Sequence, residues 1–492
     1  MKFKQHSLLT LFSSIALVSG TQAAQAGSFE IIADGLNQPR GFEFAPDGTL
    51  YIPEPGIGGD SDRCQPSPST LFQPICAGYT GAITRVTTDG MQERYLDGFE
   101  SLGEQPSGNQ GAGPADIAFD DGGNAYLLTG FAGYPGNRDS GTFELGQENP
   151  VPESQQAVFP PSPEDELLET PTLAKLYEFD VETGELGDTI FDFAEAEITI
   201  NPDGGDIVTN PYDLEISGDT AYIVDGGGNS AYSISLDGSG FEAFAIPDLI
   251  VSSEILSQLP PPPDAIEPGE VPQANGQPAP PESENPLDLL PGLIETVPGQ
   301  PDLLALQSVS TGAAIGPDGA FYVGEYTGFP YPANEARIHR IGEDGEVEVF
   351  AEGFNYITDI QFDEDGNLLV LQFSDVPQFE DDFANLASSL IQLAPDGTRT
   401  TLVAPGEGLR SADGVTIGPD GQIYIANAAI GPGNGEIVRV DLAQSGETEG
   451  SQAVPEPTSI FGLLALCFGS GVLLKGKRKK EELAVTNSFG LK

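Results

Sequence analysis

Tryptophan is absent from this chain, and histidine (2 residues), methionine (2) and cysteine (3) are scarce. Of the histidines, His6 falls in an N-terminal segment that reads as a removable leader, which leaves His339 as the one histidine of the body. His339 lies in the expected strand 337–341 and reads as a surface or packing residue. No Gly-x-Ser-x-Gly turn accompanies it, so a serine nucleophile paired with a histidine base is excluded, as is a histidine-rich metal centre. Basic residues are few as well, 19 Lys and Arg against 76 Asp and Glu, for a net charge of −57. Eight of the 19 (Lys2, Lys4, Lys475, Lys477, Arg478, Lys479, Lys480 and Lys492) lie in the two ends. The body therefore lacks the cations that nucleic acid or anionic lipid would need to neutralise its phosphates. A surface of this kind attracts divalent cations, although a solvated acidic coat accounts for the composition equally well.

What the chain has is glycine (62), proline (42) and a repeat. Residues 41–53 read GFEFAPDGTLYIP, an alternating strand, a Pro-Asp-Gly turn and a second apolar strand. The unit returns at 116–129, 213–225, 312–325, 359–372 and 414–427. Each copy sets one apolar residue six or seven positions before another: Phe44 and Tyr51, Phe119 and Tyr126, Ile216 and Tyr222, Ile315 and Tyr322, Phe362 and Leu369, Ile417 and Tyr424. Proline presets the turn and Asp-Gly closes it, so each copy reads as a β-hairpin. A single hairpin cannot bury its apolar face, whereas stacked ones form a continuous core. The expectation is an all-β, six-bladed β-propeller over residues 27–445. The last repeat offers only three strands, so the strand at 28–36 should complete it and remove an open edge.

Two acidic, proline-rich insertions interrupt the pattern, at about 141–171 and 246–302. With few apolar residues they are expected to build no packed core of their own, and the second reads as a flexible excursion or a lid. Cys64 and Cys76 share the 54–79 loop and point to a disulfide, free thiols being the alternative; Cys467 stands apart near the C-terminus.

Residues 1–26 carry a positive start, an apolar run over 8–18 and an Ala-Gln-Ala site, which together form an export signal. At the other end a linker (446–453) leads to Pro455-Glu456-Pro457, an apolar run over 460–474, the basic cluster 475–480 and a tail at 481–492. Segment 454–480 resembles the PEP-CTERM sorting signal. That resemblance implies an exosortase-type processing partner, transient membrane association through 460–474, and release to the cell surface or matrix. The 12-residue tail is longer than such signals usually carry, and an ordinary permanent anchor is the other reading.

Candidate chemistry gathers at the ends of the hairpin strands. Asp116, Asp213, Asp359 and Asp413 enter the first strands, while Glu54, Asp225, Glu325 and Asn427 end the second ones. In a propeller these positions share one face, so they are expected around a channel mouth. Oxygen-only clusters suit Ca2+ or Mg2+, and paired carboxylates serve as general acid and base. Capping of backbone N–H groups is the plainer use of the same residues.

The opening FEIIADGLNQPRGFEFAPDGTLYIPEPG, the Cys64/Cys76 loop, GYTGAITRV at 78–86 and GPADIAF at 113–119 resemble the ScyD/ScyE family. The resemblance spans most of 28–442 outside the insertions. It implies an exported six-bladed propeller related to NHL-type repeats, and an association with scytonemin-type pigment biosynthesis in some members. It brings no catalytic residues. Function then divides between a surface or matrix propeller that binds an extracellular polysaccharide or small molecule, and a metal-dependent, lactonase-like enzyme or pigment factor.

Overall fold

The computed structural model describes residues 26–59, 63–67, 74–139, 167–258, 295–376 and 386–442. The chain divides into two units, Met1–Ser445 and Gly446–Lys492. The leader, the cores of both insertions, the linker, Pro455–Glu456–Pro457, the 460–474 run and the tail lie outside the described residues. Among the described residues no helix is long and apolar enough to cross a membrane.

The described chain is nearly all antiparallel β. After β1 (Ala26–Leu36), a first sheet holds β2 (Glu43–Phe44), β3 (Leu50–Glu54), β4 (Cys64–Pro66), β5 (Pro74–Val86) and β6 (Gln92–Glu104). The second holds β7 (Pro114–Phe119), β8 (Ala125–Thr129), β9 (Lys175–Phe179) and β10 (Leu186–Asp192). In the third, β11 (Pro211–Ser217), β12 (Thr220–Asp225), β13 (Ser230–Ser235) and β14 (Phe241–Ala245) follow in order. Then comes a three-stranded sheet of β15 (Leu249–Ser252), β16 (Glu295–Val297) and β17 (Gln300–Leu306). The next four-stranded sheet is β18 (Ser310–Ile315), β19 (Phe321–Glu325), β20 (Ala336–Ile341) and β21 (Val347–Phe354). After it stand β22 (Ile357–Phe362), β23 (Leu368–Gln372), β24 (Ser389–Leu393) and β25 (Arg399–Val403). The final sheet joins β26 (Gly414–Ile417), β27 (Ile423–Asn427) and β28 (Gly435–Leu442) to β1, which pairs with β28 from Ala26↔Leu442 to Leu36↔Gly435. The first described strand thus closes the last sheet.

The repeat explains both the turns and the packing. In the Pro-Asp-Gly turns the aspartate accepts from the backbone two residues on, as Asp47 does from Thr49 N at 2.8 Å, and Gly48 takes φ +86°. The tyrosine of the next strand donates back to the turn aspartate, Tyr126 to Asp120 at 3.2 Å and Tyr424 to Asp420 at 3.1 Å. The paired apolar positions meet across successive sheets. Ring centroids lie 5.8 Å apart for Tyr51–Phe119, 5.1 Å for Tyr222–Phe321, 4.9 Å for Tyr322–Phe362 and 5.0 Å for Phe44–Tyr424. Such pairs add roughly 0.5–1.5 kcal/mol each beyond the area they bury.

Three features depart from expectation. The ends of the 246–302 insertion do pack, because Leu249, Leu304 and Leu306 alternate inward from β15 and β17 into a small core. The end of the 141–171 insertion is also buried, with Leu168 N donating to Asn137 O at 2.9 Å. A helix, α1 (Phe193–Thr199), follows β10, capped by Asp192, which accepts from Glu195 N. Cys64 and Cys76 form a disulfide across β4 and β5.

Candidate functional site

The first strands of neighbouring sheets lie against one another, and their register fixes which residues meet there. At six equivalent positions stand Gly41, Asp116, Asp213, Gly312, Asp359 and Gly414. Each aspartate uses one oxygen for its own next residue and the other for the neighbouring sheet. Asp116 accepts from Ile117 N at 2.7 Å and Leu214 N at 2.9 Å. Asp213 accepts from Leu214 N at 2.9 Å and Ala313 N at 2.6 Å. Asp359 accepts from Ile360 N at 2.6 Å and Val415 N at 2.6 Å. Where glycine stands instead, the neighbour leaves no room: a Cβ on Gly41 would meet Asp116 Oδ1 at 1.8 Å, and one on Gly414 would meet Arg40 O at 2.1 Å. Thr416 Oγ1 donates to Glu43 Oε2 at 3.2 Å, which brings the last inner strand back to the first.

This belt lines a small cavity of about 30 Å3, room for water-sized occupants, together with Glu43, Glu215, Gln361 and Arg40. Carboxyls crowded there hold protons tightly. Burial and then the charge of Asp213 push Asp116 and Asp359 well above the ordinary carboxylate range. Burial alone brings Glu43 up to about 7, and burial with Glu43 beside it brings Glu215 up to about 8.

One residue before four of the six belt positions the strand bulges. Pairing slips at Ala115, Tyr212, Thr311 and Thr358, which have no partner of their own on the second strand. A bulge re-aims the extra side chain. Tyr212, Thr311 and Thr358, with Arg40 and Asp413 at the same position in the first and last repeats, line a cavity of about 170 Å3. Tyr326, Phe329, Tyr331 and Phe373 form much of its wall. Tyr212 donates to Asp413 Oδ1 at 2.5 Å, and Arg40 Nε stands 3.6 Å from Asp413 Oδ2. The Arg40 guanidinium also lies 4.6 Å from the centre of the Tyr212 ring and donates to Gly111 O at 2.9 Å. Its Nη1 is buried and has no hydrogen-bond partner. Burial raises Asp413 against the pull of Arg40, and burial beside Asp413 raises Tyr212.

The eight residues expected at one mouth are therefore split. Asp116, Asp213 and Asp359 form the belt, and Asp413 belongs to the cavity above it. The second-strand ends serve their own sheets, because the loops there present backbone N–H groups that need acceptors. Glu54 accepts from Asn37 N at 2.7 Å and Thr84 Oγ1 at 2.7 Å. Asp225 accepts from Asn210 N, Gly227 N and Gly228 N at 2.7, 2.9 and 2.9 Å. Glu325 takes Arg337 Nε at 2.6 Å and contacts the buried His339 Nε2 at 3.1 Å. Asn427 accepts from Arg410 N at 2.8 Å. Among the described residues no group of three or more His, Cys, Asp or Glu is arranged to hold a metal ion. Sequence reasoning missed Arg40, Tyr212 and the aromatic wall. The signal for the first two was their place immediately before the repeat start.

No family model matches the chain, and no curated protein matches it in sequence. Solved structures that match include a streptogramin B lyase, at 11% identity and TM-score 0.39 over 86% of this chain and 100% of that one. A gluconolactonase from Xanthomonas campestris matches at 11% and 0.40, over 85% of this chain and 91% of that one. A glucose dehydrogenase matches at 12% and 0.40, over 85% and 100%. At this identity and these scores the likeness carries nothing about activity.

Proposed function

We propose that the six larger sheets are the blades of a closed six-bladed propeller of the ScyD/ScyE type, which binds a neutral, ring-sized polyhydroxyl ligand, a sugar unit, at the cavity above its channel. The observation that carries this reading is the cavity itself: an aromatic wall facing Arg40, whose Nη1 lacks an acceptor. Sugar rings lay C–H faces on aromatic rings and spend their hydroxyls on planar polar groups, here Arg40, Asp413, Asn210 and Gln307. At about 170 Å3 the space suits one ring, since a void of about 150 Å3 takes up benzene. An anion is disfavoured by the −57 charge, and Arg40 already occupies a cation's place over Tyr212. In this reading 1–26 directs export and 454–480 acts as a sorting signal for an exosortase-type enzyme. The protein then works at the cell surface or in the matrix, on the end of an extracellular polysaccharide or a free sugar.

A second reading, a lactonase-like or pigment-pathway enzyme, draws on the proton-holding carboxyls of the belt. Their oxygens are tied to backbone N–H groups and the small cavity beside them has room only for water-sized occupants, which favours binding over turnover.

Titration with a panel of monosaccharides and matrix polysaccharide fractions, followed by calorimetry and ligand-observed NMR, tests the proposal. Binding that weakens tenfold or more in Arg40→Gln and Tyr326→Ala is the expected result. No binding by any sugar, or metal-dependent turnover of lactones, would overturn it.

A further inference from the structure

At the end of the third sheet, next to the stretch of cavity wall that holds Asp206 and Gly227, lies a second concentration of acid. Glu197 on α1 is fully buried, and neither of its carboxylate oxygens has a hydrogen bond of ordinary geometry, although the Val208 N–H lies near enough to favour its anion slightly. Two side chains of β13 lie beside it: Ser230 Oγ and the Tyr232 hydroxyl are buried, make no hydrogen bond of ordinary geometry, and stand close enough for Ser230 to act on the Tyr232 hydroxyl. The Glu197 and Ser230 oxygens come together over a bare glycine. A methyl group on Gly228 would lie 2.9 Å from Glu197 Oε2 and 3.2 Å from Ser230 Oγ.

The charges around this spot are all of one sign. Asp225, Asp203 and Asp206 each raise the proton affinity of Glu197, and burial together with these neighbours pushes its carboxyl up to about 10. Among the described residues no Lys, Arg or His forms an ion pair with Glu197, Asp203 or Asp225. Asp225 and Asp203 already have donors: Asp225 accepts from three backbone N–H groups and Thr209, and Asp203 accepts from Asn229 Nδ2 at 2.9 Å and Gly205 N at 2.8 Å. They contribute charge to the spot rather than free lone pairs.

A buried carboxylate with no well-formed hydrogen bond and no counter-ion is strongly disfavoured. A proton on Glu197 cancels its own charge and supplies one O–H that a neighbouring hydroxyl can accept, but it leaves the field of the surrounding aspartates unopposed. A cation accepts lone pairs from all three groups at once and offsets the field of the neighbouring aspartates.

We propose that Glu197, Ser230 and Tyr232 are ligands of a buried structural site for a hard, oxygen-seeking cation of the Ca2+ class. Such an ion takes six to eight oxygens at about 2.3–2.6 Å, including backbone carbonyls, so one side-chain carboxylate with hydroxyls and carbonyls makes a sufficient shell. This agrees with the lack of any three acids converging on one point. The cation pins α1 to β13.

The test uses the full exported chain, desalted at moderate ionic strength to strip ions from the acidic surface. Elemental analysis should find about one Ca2+ per chain in the wild type and a several-fold smaller amount in Glu197→Gln and Ser230→Ala. Ca2+ should raise the wild-type melting temperature over that in chelator at constant ionic strength, and the shift should largely vanish in both variants. Tb3+ in place of Ca2+ should give tyrosine-sensitised luminescence that falls in Tyr232→Phe. A wild type with no stoichiometric cation, melting alike in Ca2+ and in chelator, overturns the proposal in favour of a protonated Glu197. So does a Glu197→Gln protein that keeps the cation and the shift. Should both ligand variants fail to fold, the wild-type analysis and melting decide alone.

Discussion

Asp116 does with one carboxylate what a repeat protein usually leaves to apolar contact: it fastens one sheet to the next. Its two oxygens hold Ile117 N in its own strand and Leu214 N in the neighbour. Removing the acceptor strands both N–H groups in a buried layer, at about 1–3 kcal/mol for each group left unpaired. Asp116→Ala is therefore expected to lose roughly 2–4 kcal/mol in urea denaturation. Asp116→Asn keeps an acceptor oxygen and removes the repulsion from Asp213, so its loss should be less than half as large. Equal losses in the two variants would mean that the charge, not the acceptor, holds the sheets together. The same logic accounts for glycine at the other three positions. Beside Gly41, Asp116 Oδ1 comes so close that any side chain would displace it.

At the scale of elements, β1 decides whether the last sheet has an open edge. It pairs along β28 from Ala26 to Leu36 and covers N–H and C=O groups that would otherwise template association. A chain lacking residues 26–36 should melt well below the full one and elute as oligomers, read by light scattering after gel filtration. An equally stable monomer would show that β28 needs no partner. This pairing was legible in advance, because three strands in the last repeat leave a vacancy that only a distant strand can fill. The hairpins were legible too, from Pro-Asp-Gly and the spacing of Phe44 and Tyr51. The cavity was not. Alternation places Asp116 and Asp213 toward the channel and would turn Tyr212 away; a bulge brings Tyr212 in, and no residue type at Ala115, Tyr212, Thr311 or Thr358 announces it. Capping of backbone N–H groups was the plainer reading of Glu54, Asp225, Glu325 and Asn427 and is what they do, but an acid at a strand end looks the same whether it faces a mouth or caps its own loop. The helix α1 escaped because FAEAEIT is short and follows a strand with no proline or glycine between them.

For the whole molecule, charge is the property that acts everywhere at once, and pH separates its two parts. Ordinary surface carboxyls titrate near pH 4, so above pH 6 the coat that dominates the −57 charge is constant. Glu43 and Glu215 are different, with folded values near 7 and 8 against an unfolded 4.5. A carboxyl whose pKa is raised by folding binds its proton more tightly in the native state. Its contribution is fully present below the unfolded value and is lost as pH climbs through the folded one. Stability should therefore fall between about pH 6 and 8.5, by roughly 2–5 °C in melting temperature for a protein of this size. Glu215→Gln should flatten the upper half of that slope, because the amide has no proton to lose. Added salt provides the control. It screens the exposed coat and should lift the whole curve, yet it reaches the narrow channel poorly and should leave the slope in place. A slope that salt abolishes would assign the effect to the surface and leave the channel acids ionised throughout. A slope that survives salt and loses its upper half in Glu215→Gln would locate it at these buried acids, beneath the bulged residues that line the cavity.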